Sequence, residues 1–561
     1  MTQWQAAGWR VGLVGALALG VLGLTACSSA GSPTATGGDA APGAGQPAPP
    51  PVNRLVFALE PPRLSSLEVR HLGTPSGWTV RPMYDYLLGI NPESGKIEPG
   101  LLTDWAWEPD GQSLRVHMRK GIPFHGTWGE VKVSDVQLGW EQVQRPDSLI
   151  GERANWIATL KAIEPVDGQE FVFRLNKPDG NFITQLSEEQ SGLEVQSRAN
   201  FDAKGAATFQ TGPLAGSGPY QFVAGADQSF IRYERTPYKH WRITPAFPEF
   251  EFRYIKEPSS RQAALLAGEV HMAQLPQDLL AQAEARGMKT VHSSFPGSRV
   301  FGSFECCYIK EADNPASGYM YPDSPLMDVR VRRAINKSVN RDELNKAFFG
   351  GKGVTMYVNH MYPNRPGWNP AWEKQFQDEY GYDPAAARKL LAEAGQANMR
   401  TSIFVLPLLG VAGGPDLAEA LTGYLKAVGI GVDLLNIDQA EVSRIVSQRL
   451  YSNHIVLTAT GANLWSGFSL LNSSLRGPVR FHFADPNIDT MLRQIQGTID
   501  DQKRATQWRQ LGDAAFGLHM NVNLFWLPVE VAVNPKVVSG WAFPGTITGS
   551  YTHTWYIKAA T

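Results

Sequence analysis

The chain of 561 residues has only three cysteines, Cys27, Cys306 and Cys307. So low a count excludes a disulfide-stapled scaffold. Charge of one sign is missing too. Lys and Arg number 51 against 53 Asp and Glu, a formal net charge of −2. A balanced chain offers no electrostatic footprint for nucleic acid, so no nucleic-acid partner is expected. Catalytic signatures are absent. There is no His-Glu-x-x-His and no Gly-x-Ser-x-Gly, and Gly410 to Gly414 is not followed by the Lys-Ser/Thr of a phosphate loop. The eleven histidines show no metal-ligand spacing. No enzyme activity, no metal site built from side chains and no cofactor is expected. No short internal repeat is visible.

The length implies more than one lobe with ample surface to bury. Residues 1–26 read as a targeting segment: Arg10 supplies a positive start, and Val11 to Leu24 is an apolar run short for a membrane span. It ends in Leu24-Thr25-Ala26-Cys27, which resembles the bacterial lipobox. That resemblance implies cleavage before Cys27 and lipidation of its thiol, which holds a protein on a membrane without spanning it. Residues 27–51 are rich in Ser, Gly, Ala, Thr and Pro and read as a disordered tether. Sixteen tryptophans imply either large cores or a ligand cleft lined by indoles.

From Arg54 the composition is globular. Leu55, Phe57 and Leu59 alternate with Val56 and Ala58 as in a strand. A loop, Gly73 to Trp78, leads into a helix expected at Thr79 to Leu87. Asp110-Gly111 is the signal of a two-residue hairpin turn, followed by the alternating strand Leu114 to Met118. Ser134 stands as N-cap of the next helix, with Asp135 in its first turn. Asp167-Gly168 marks a second turn. Gly216 and Gly218 lead into a strand at Tyr220 to Val223. Arg299 to Tyr308 is strand-like. Asn340 caps a helix. Asp383-Pro384 starts another, which Gly395 ends. Leu417 to Val428 is a helix followed by a strand, Val432 to Leu435; further helices fit Ile488 to Gln496 and Ala505 to Leu518. Helix–strand alternation of this kind favours an α/β fold.

Taken in order, several segments resemble the extracellular solute-binding proteins of family 5, which serve peptide and nickel ABC transporters. The resemblance rests on Tyr84 to Leu87, Pro99 to Trp105, Asp110-Gly111, Arg119 to Gly126, Ser134 to Val136, Ala215 to Tyr220 and Tyr382 to Gly395. It covers roughly residues 54 to 545. It implies an α/β, two-lobed periplasmic-binding-protein-like fold of the cluster C type with an extra subdomain. Lobe one would comprise residues 52–298, with the insertion at about 76–195. Lobe two would be 299–520, and 521–561 would return to lobe one.

The resemblance also implies a function: capture of a peptide or similar small organic solute between the lobes, and delivery to an ABC permease powered by its ATPase. The protein would be extracytoplasmic, a monomer, and tied to the membrane by Cys27. Alternatives are a ligand sensor subunit, or a receptor for metal chelates or sugars. Trp78, Arg153, Trp156, Asn463 and Trp465 are the expected ligand contacts. Arg153 and Trp156 fall where nickel-chelate-binding members place an Arg-x-x-Trp, and an Arg suits a carboxylate. A surface Arg and a core Trp are the alternative. Peptide-binding members hold the ligand's amino group with an acid, yet the matching stretch here, Thr460 to Phe468, has no carboxylate. Cys306 and Cys307 are either two thiols on a buried crossover strand or a vicinal disulfide ring.

Overall fold

The computed structural model describes residues 51–62, 66–71, 79–150, 153–188, 193–208, 211–311, 314–363, 365–405, 413–438, 440–441, 444–445, 448–450, 452–462, 483–545 and 551–561. Cys27, Trp78, Asn463 and Trp465 lie outside them.

Arg54–Leu59 shows how the sheet is built. It pairs in parallel with Glu249–Tyr254 on one side and with Met272–Ala273 on the other. Its residues are apolar on both faces, and both faces are covered. Leu55, Phe57 and Leu59 enter one core cluster and Val56 and Ala58 another, as expected of a strand with parallel neighbours. It belongs to an eleven-stranded sheet. The order is Gly431–Asn436, Arg400–Val405, His454–Gly461, Lys289–Glu305, Asn521–Val533, Met272–Ala273, Arg54–Leu59, Glu249–Tyr254, Phe230–Arg235 and Tyr220–Ala226, with Val354–Thr355 added beside Asn521–Val533.

Two long antiparallel strands, Lys289–Glu305 and Asn521–Val533, join the halves of this sheet. At one end Val533 pairs with Met272, beside Arg54–Leu59. At the other, Ser298 to Glu305 pair with Gly461 to His454. Between these ends the ladder is irregular, with Pro296 facing Pro528 and register shifts on either side of Pro296. Proline has no N–H to give a ladder, so the crossing point is where pairing is weakest.

The cores follow the two halves. In the second half, helices Val329–Ser338, Arg341–Phe349, Pro384–Glu393 and Gly414–Ala427 bury Val331, Leu344, Leu391 and Leu421 in one cluster with Val300, Ile403 and Leu457 of the sheet. In the first half, a four-stranded antiparallel sheet, ordered Leu102–Trp107, Ser113–Met118, Glu170–Leu175 and Leu160–Pro165, shares a separate core with helix Val133–Gln144.

Several helix ends match their sequence signals. Asp383 Oδ1 accepts from Ala386 N at 2.9 Å, and Asn340 Oδ1 from Glu343 N at 3.2 Å. Gly216 and Gly218 are needed for space: a Cβ on either would overlap the Met83–Tyr84 backbone. His125 Nε2 seals the same turn by donating to Gly218 O at 2.8 Å, and burial pushes its pKa down to about 4.

Three expectations are corrected. No helix spans Thr79 to Leu87. A short 3₁₀ turn, Arg81–Met83, leads to extended backbone at Tyr84 and the strand Leu88–Ile90. Pro82 has no N–H, and the Arg81 side chain is drawn to Glu188 O at 2.7 Å. The Asp110-Gly111 hairpin is not a two-residue turn: Leu102–Trp107 and Ser113–Met118 are joined by residues 108–112. Asp110 Oδ1 accepts from Gln112 N and Ser113 N, both at 2.9 Å, which supports the longer loop. Helix Val133–Gln144 begins before Ser134, which is therefore not its cap. Asp135 closes that end by accepting from Lys132 N at 2.7 Å.

Candidate functional site

The strand His454–Gly461 sorts its residues by face. Ile455, Leu457 and Ala459 join the large core of the second half. Val456, Thr458 and Thr460 point the other way, as strand geometry demands. On the neighbouring crossing strand, Val300 and Phe304 enter that core, whereas Arg299 and Phe301 share the second face with Thr460.

Arg299 is 3% exposed. Its Nε donates to Thr460 Oγ1 at 3.0 Å and its Nη1 to Asn359 Oδ1 at 2.6 Å. Burial pulls its pKa down to about 9. No carboxylate among the described residues forms an ion pair with it. Across the ladder it faces Trp526, which is 1% exposed with a buried, unpaired Nε1. Trp526, Phe301, Met356 and Ala462 form a small separate cluster, with Tyr362 against it. His360, next to Asn359, is half-buried as a residue, but its Nδ1 is shielded and unpartnered. Burial first, and then the Arg299 cation, hold its pKa well below the ordinary histidine value.

This wall continues toward the first half of the molecule. The rings of Trp526 and Tyr362 meet edge to face at 5.8 Å, and those of Tyr362 and Phe295 at 6.5 Å. The Arg365 guanidinium lies 3.8 Å from the Phe295 ring centre. Arg365 Nη1 donates to Gly95 O at 3.1 Å, in the hairpin of Leu88–Ile90 and Ile97–Pro99. A second bridge between the halves is backbone to backbone, Gly180 N to Gln496 O at 3.0 Å.

Of the expected ligand contacts, two can be placed, and they are neighbours on helix Arg153–Thr159. Trp156 is 1% exposed and packs edge to face on Phe182 at 6.2 Å within the four-stranded subdomain's core. Arg153 donates from Nε to Val143 O and Arg145 O and from Nη2 to Gln144 O, each at 3.1 Å. These carbonyls end helix Val133–Gln144, where a cation also suits the helix dipole. Trp372 and Trp555 are likewise among the largest fully buried side chains, so part of the tryptophan content serves cores. Arg299 is not among the contacts the sequence singles out. Its signal was a lone charge at the head of the otherwise apolar run Arg299 to Phe304 of a buried strand.

Cys306 and Cys307 follow the first crossing strand, are 0% and 2% exposed, and are joined as a vicinal disulfide. Ala484 N donates to Cys307 O at 3.0 Å.

Two α/β halves joined by crossing strands define a two-lobed binding protein. Comparison with known proteins agrees. The family model of bacterial extracellular solute-binding proteins, family 5, matches residues 96–478. Heme-binding protein A of Haemophilus influenzae is 24% identical over 494 residues, 82% of this chain and 84% of the relative. Among solved structures, HbpA2 from Haemophilus parasuis superposes with a TM-score of 0.74 at 19% identity, covering 91% of this chain and 100% of that one. NikA from Brucella suis in complex with Fe(III)-EDTA gives 0.71 at 20% identity, covering 90% and 99%. The chain belongs to the family 5 bacterial extracellular solute-binding proteins.

Proposed function

We propose that this protein is the receptor of an ABC importer, held outside the cytoplasm by a lipidated Cys27. It binds a peptide or another small organic solute between its lobes and presents the closed form to a permease. It acts as a monomer and does no chemistry on its cargo. The observation that carries this reading is the pair of hydrogen bonds across the lobes, Arg365 Nη1 to Gly95 O and Gly180 N to Gln496 O. They close a molecule whose halves are joined by two strands with a weak ladder between them. Such a hinge lets a ligand favour the closed form by touching both lobes. No helix among the described residues is long and apolar enough to cross a membrane, which suits anchoring through a terminal lipid. Relatives are named for heme, dipeptides and glutathione, which supports a small organic cargo.

Native mass spectrometry of the protein purified gently in detergent tests the reading. A co-purified solute of constant mass, lost on unfolding, is expected. A protein that arrives empty and is stabilised by no peptide, chelate or sugar would count against it. Acyl chains on the Cys27 peptide are expected in the same sample, and an unmodified Cys27 would remove the anchor.

A further inference from the structure

Six described arginines are buried. Arg70 pairs with Glu68 and Asp147, and Arg81 donates to Glu188 O. Arg341 gives its guanidinium to Asn523 O, Asn336 O, Tyr380 O and Asn336 Oδ1. Arg332 binds Leu518 O, Leu326 O and Met327 O. Arg261 binds Gln274 O, Ile255 O and Lys256 O. Each of these last three is held by three or more backbone carbonyls and has a structural task. Arg299 differs, binding no backbone carbonyl and holding two neutral side-chain oxygens, Asn359 Oδ1 and Thr460 Oγ1. These fix the plane of its fork, and among the described residues Nη2 makes no hydrogen bond.

A guanidinium always carries its charge in a protein. Withdrawing it from water without a counter-ion is costly. A fold tolerates that cost where the charge has a use. Two further shielded polar atoms on this wall lack partners, Trp526 Nε1 and His360 Nδ1. Arg299 is the second residue of the crossing strand to pair with His454–Gly461, two residues past the Gly297 position of the hinge.

We propose that Arg299 is the anion-binding centre of the interlobe cleft and that the cargo carries a carboxylate, held on the free edge of its guanidinium. The inference rests on the receptor reading above. Asn359 and Thr460 are positioning residues that aim the fork, and Trp526 and Tyr362 form an apolar wall for the body of the solute. A charge-assisted hydrogen bond forms without further ordering of the protein, because the fork is already held.

The test uses the whole protein and defined probes: phenylacetate, indole-3-acetate, glutathione and trialanine, each beside its primary carboxamide. Thermal unfolding and calorimetric titration are run on the wild type, Arg299→Met and Asn359→Asp. At least one acid is expected to bind the wild type while its amide binds tenfold or more weaker. Both variants should lose that binding by tenfold or more. Asn359→Asp keeps the arginine and supplies an internal carboxylate, so it decides the matter even where Arg299→Met folds poorly. Its ligand-free form should melt no lower than the wild type. An acid that binds both variants as tightly as the wild type, or an amide that binds as well as its acid, would overturn the inference and leave the receptor reading standing. Failure of every acid to bind would overturn it too, and the receptor reading would then rest on the co-purified mass alone.

Discussion

Asp85 is fully buried and accepts four side-chain hydrogen bonds: from Ser217 Oγ at 3.1 Å, Trp241 Nε1 at 2.9 Å, His240 Nε2 at 3.2 Å and Arg242 Nη2 at 3.1 Å. Burial alone would raise its pKa, but the His240 hydrogen bond and the Arg242 charge outweigh it and hold the group below the usual carboxylate range. Glu188 is similar: burial opposes ionisation, and His553 and Arg242 still draw its pKa from 4.5 to about 2. Both are depressed in the folded state. Their contribution is therefore present above the unfolded pKa and lost as pH falls through the folded one. Stability should decline from about pH 5 toward pH 2 and stay level from pH 5 to 7 as far as these groups decide it, which urea titrations at stepped pH will read. Asp85→Asn should cost about 3 kcal/mol at pH 7, because it removes the nearer of the two carboxylates facing the buried Arg242 and leaves only Glu188 at 3.9 Å; a cost below about 1 kcal/mol would show that the network is not structural. Arg153→Ala should cost about 1 kcal/mol for its lost cap. Ligand affinity in that variant answers the expectation drawn from the sequence: a tenfold loss would place Arg153 at the ligand, and no change would leave it a helix cap.

At the scale of elements, the hinge is a place where backbone meets backbone. A Cβ on Gly297 would overlap the Val529 side chain and lie 2.6 Å from Gly545 O. Gly297→Ala should therefore destabilise the protein by about 1–3 kcal/mol in thermal unfolding. A neutral result would mean that the crossing strands can slide apart freely. The turn after the first crossing strand is closed by Cys306 and Cys307, and intact-mass analysis of the unreduced protein should find it two hydrogens lighter than the dithiol. Two alkylatable thiols in denaturant would show the ring to be absent. Much of this level was legible in the sequence where the signal was local. The Asp383-Pro384 start and the Asn340 cap describe one turn of chain and are found where they are read. The segment Thr79 to Leu87 failed because its backbone is fixed by distant partners: Arg81 reaches Glu188, and Asp85 gathers residues 132 to 157 positions away. Arg299 escaped for the same reason. Its significance lies in what Asn359 and Thr460 do not supply, and periodicity carries no trace of that.

The whole molecule turns on how its two lobes meet. The Arg365 and Gly180 bridges both use backbone acceptors, and beside the second the Asp179 carboxylate also meets the Gln496 side chain. Arg365 is the replaceable side chain that also reaches the crossing strand. Its guanidinium covers Phe295, which stands in the crossing strand before the hinge, and it reaches Gly95 on the hairpin of the first lobe. It thus ties hinge, wall and opposite lobe together. Arg365→Ala removes the hydrogen bond to Gly95 O across the lobes, worth about 1 kcal/mol, and so should shift the open–closed balance about fivefold toward open. The ligand-free variant should show a larger radius of gyration in solution scattering. Its affinity for the co-purified solute should fall severalfold through the lower closed population, while its thermal unfolding changes little. A variant that scatters like the wild type and binds as tightly would remove Arg365 from the closing mechanism. Lost binding without any change in scattering would instead place its guanidinium on the solute, beside that of Arg299.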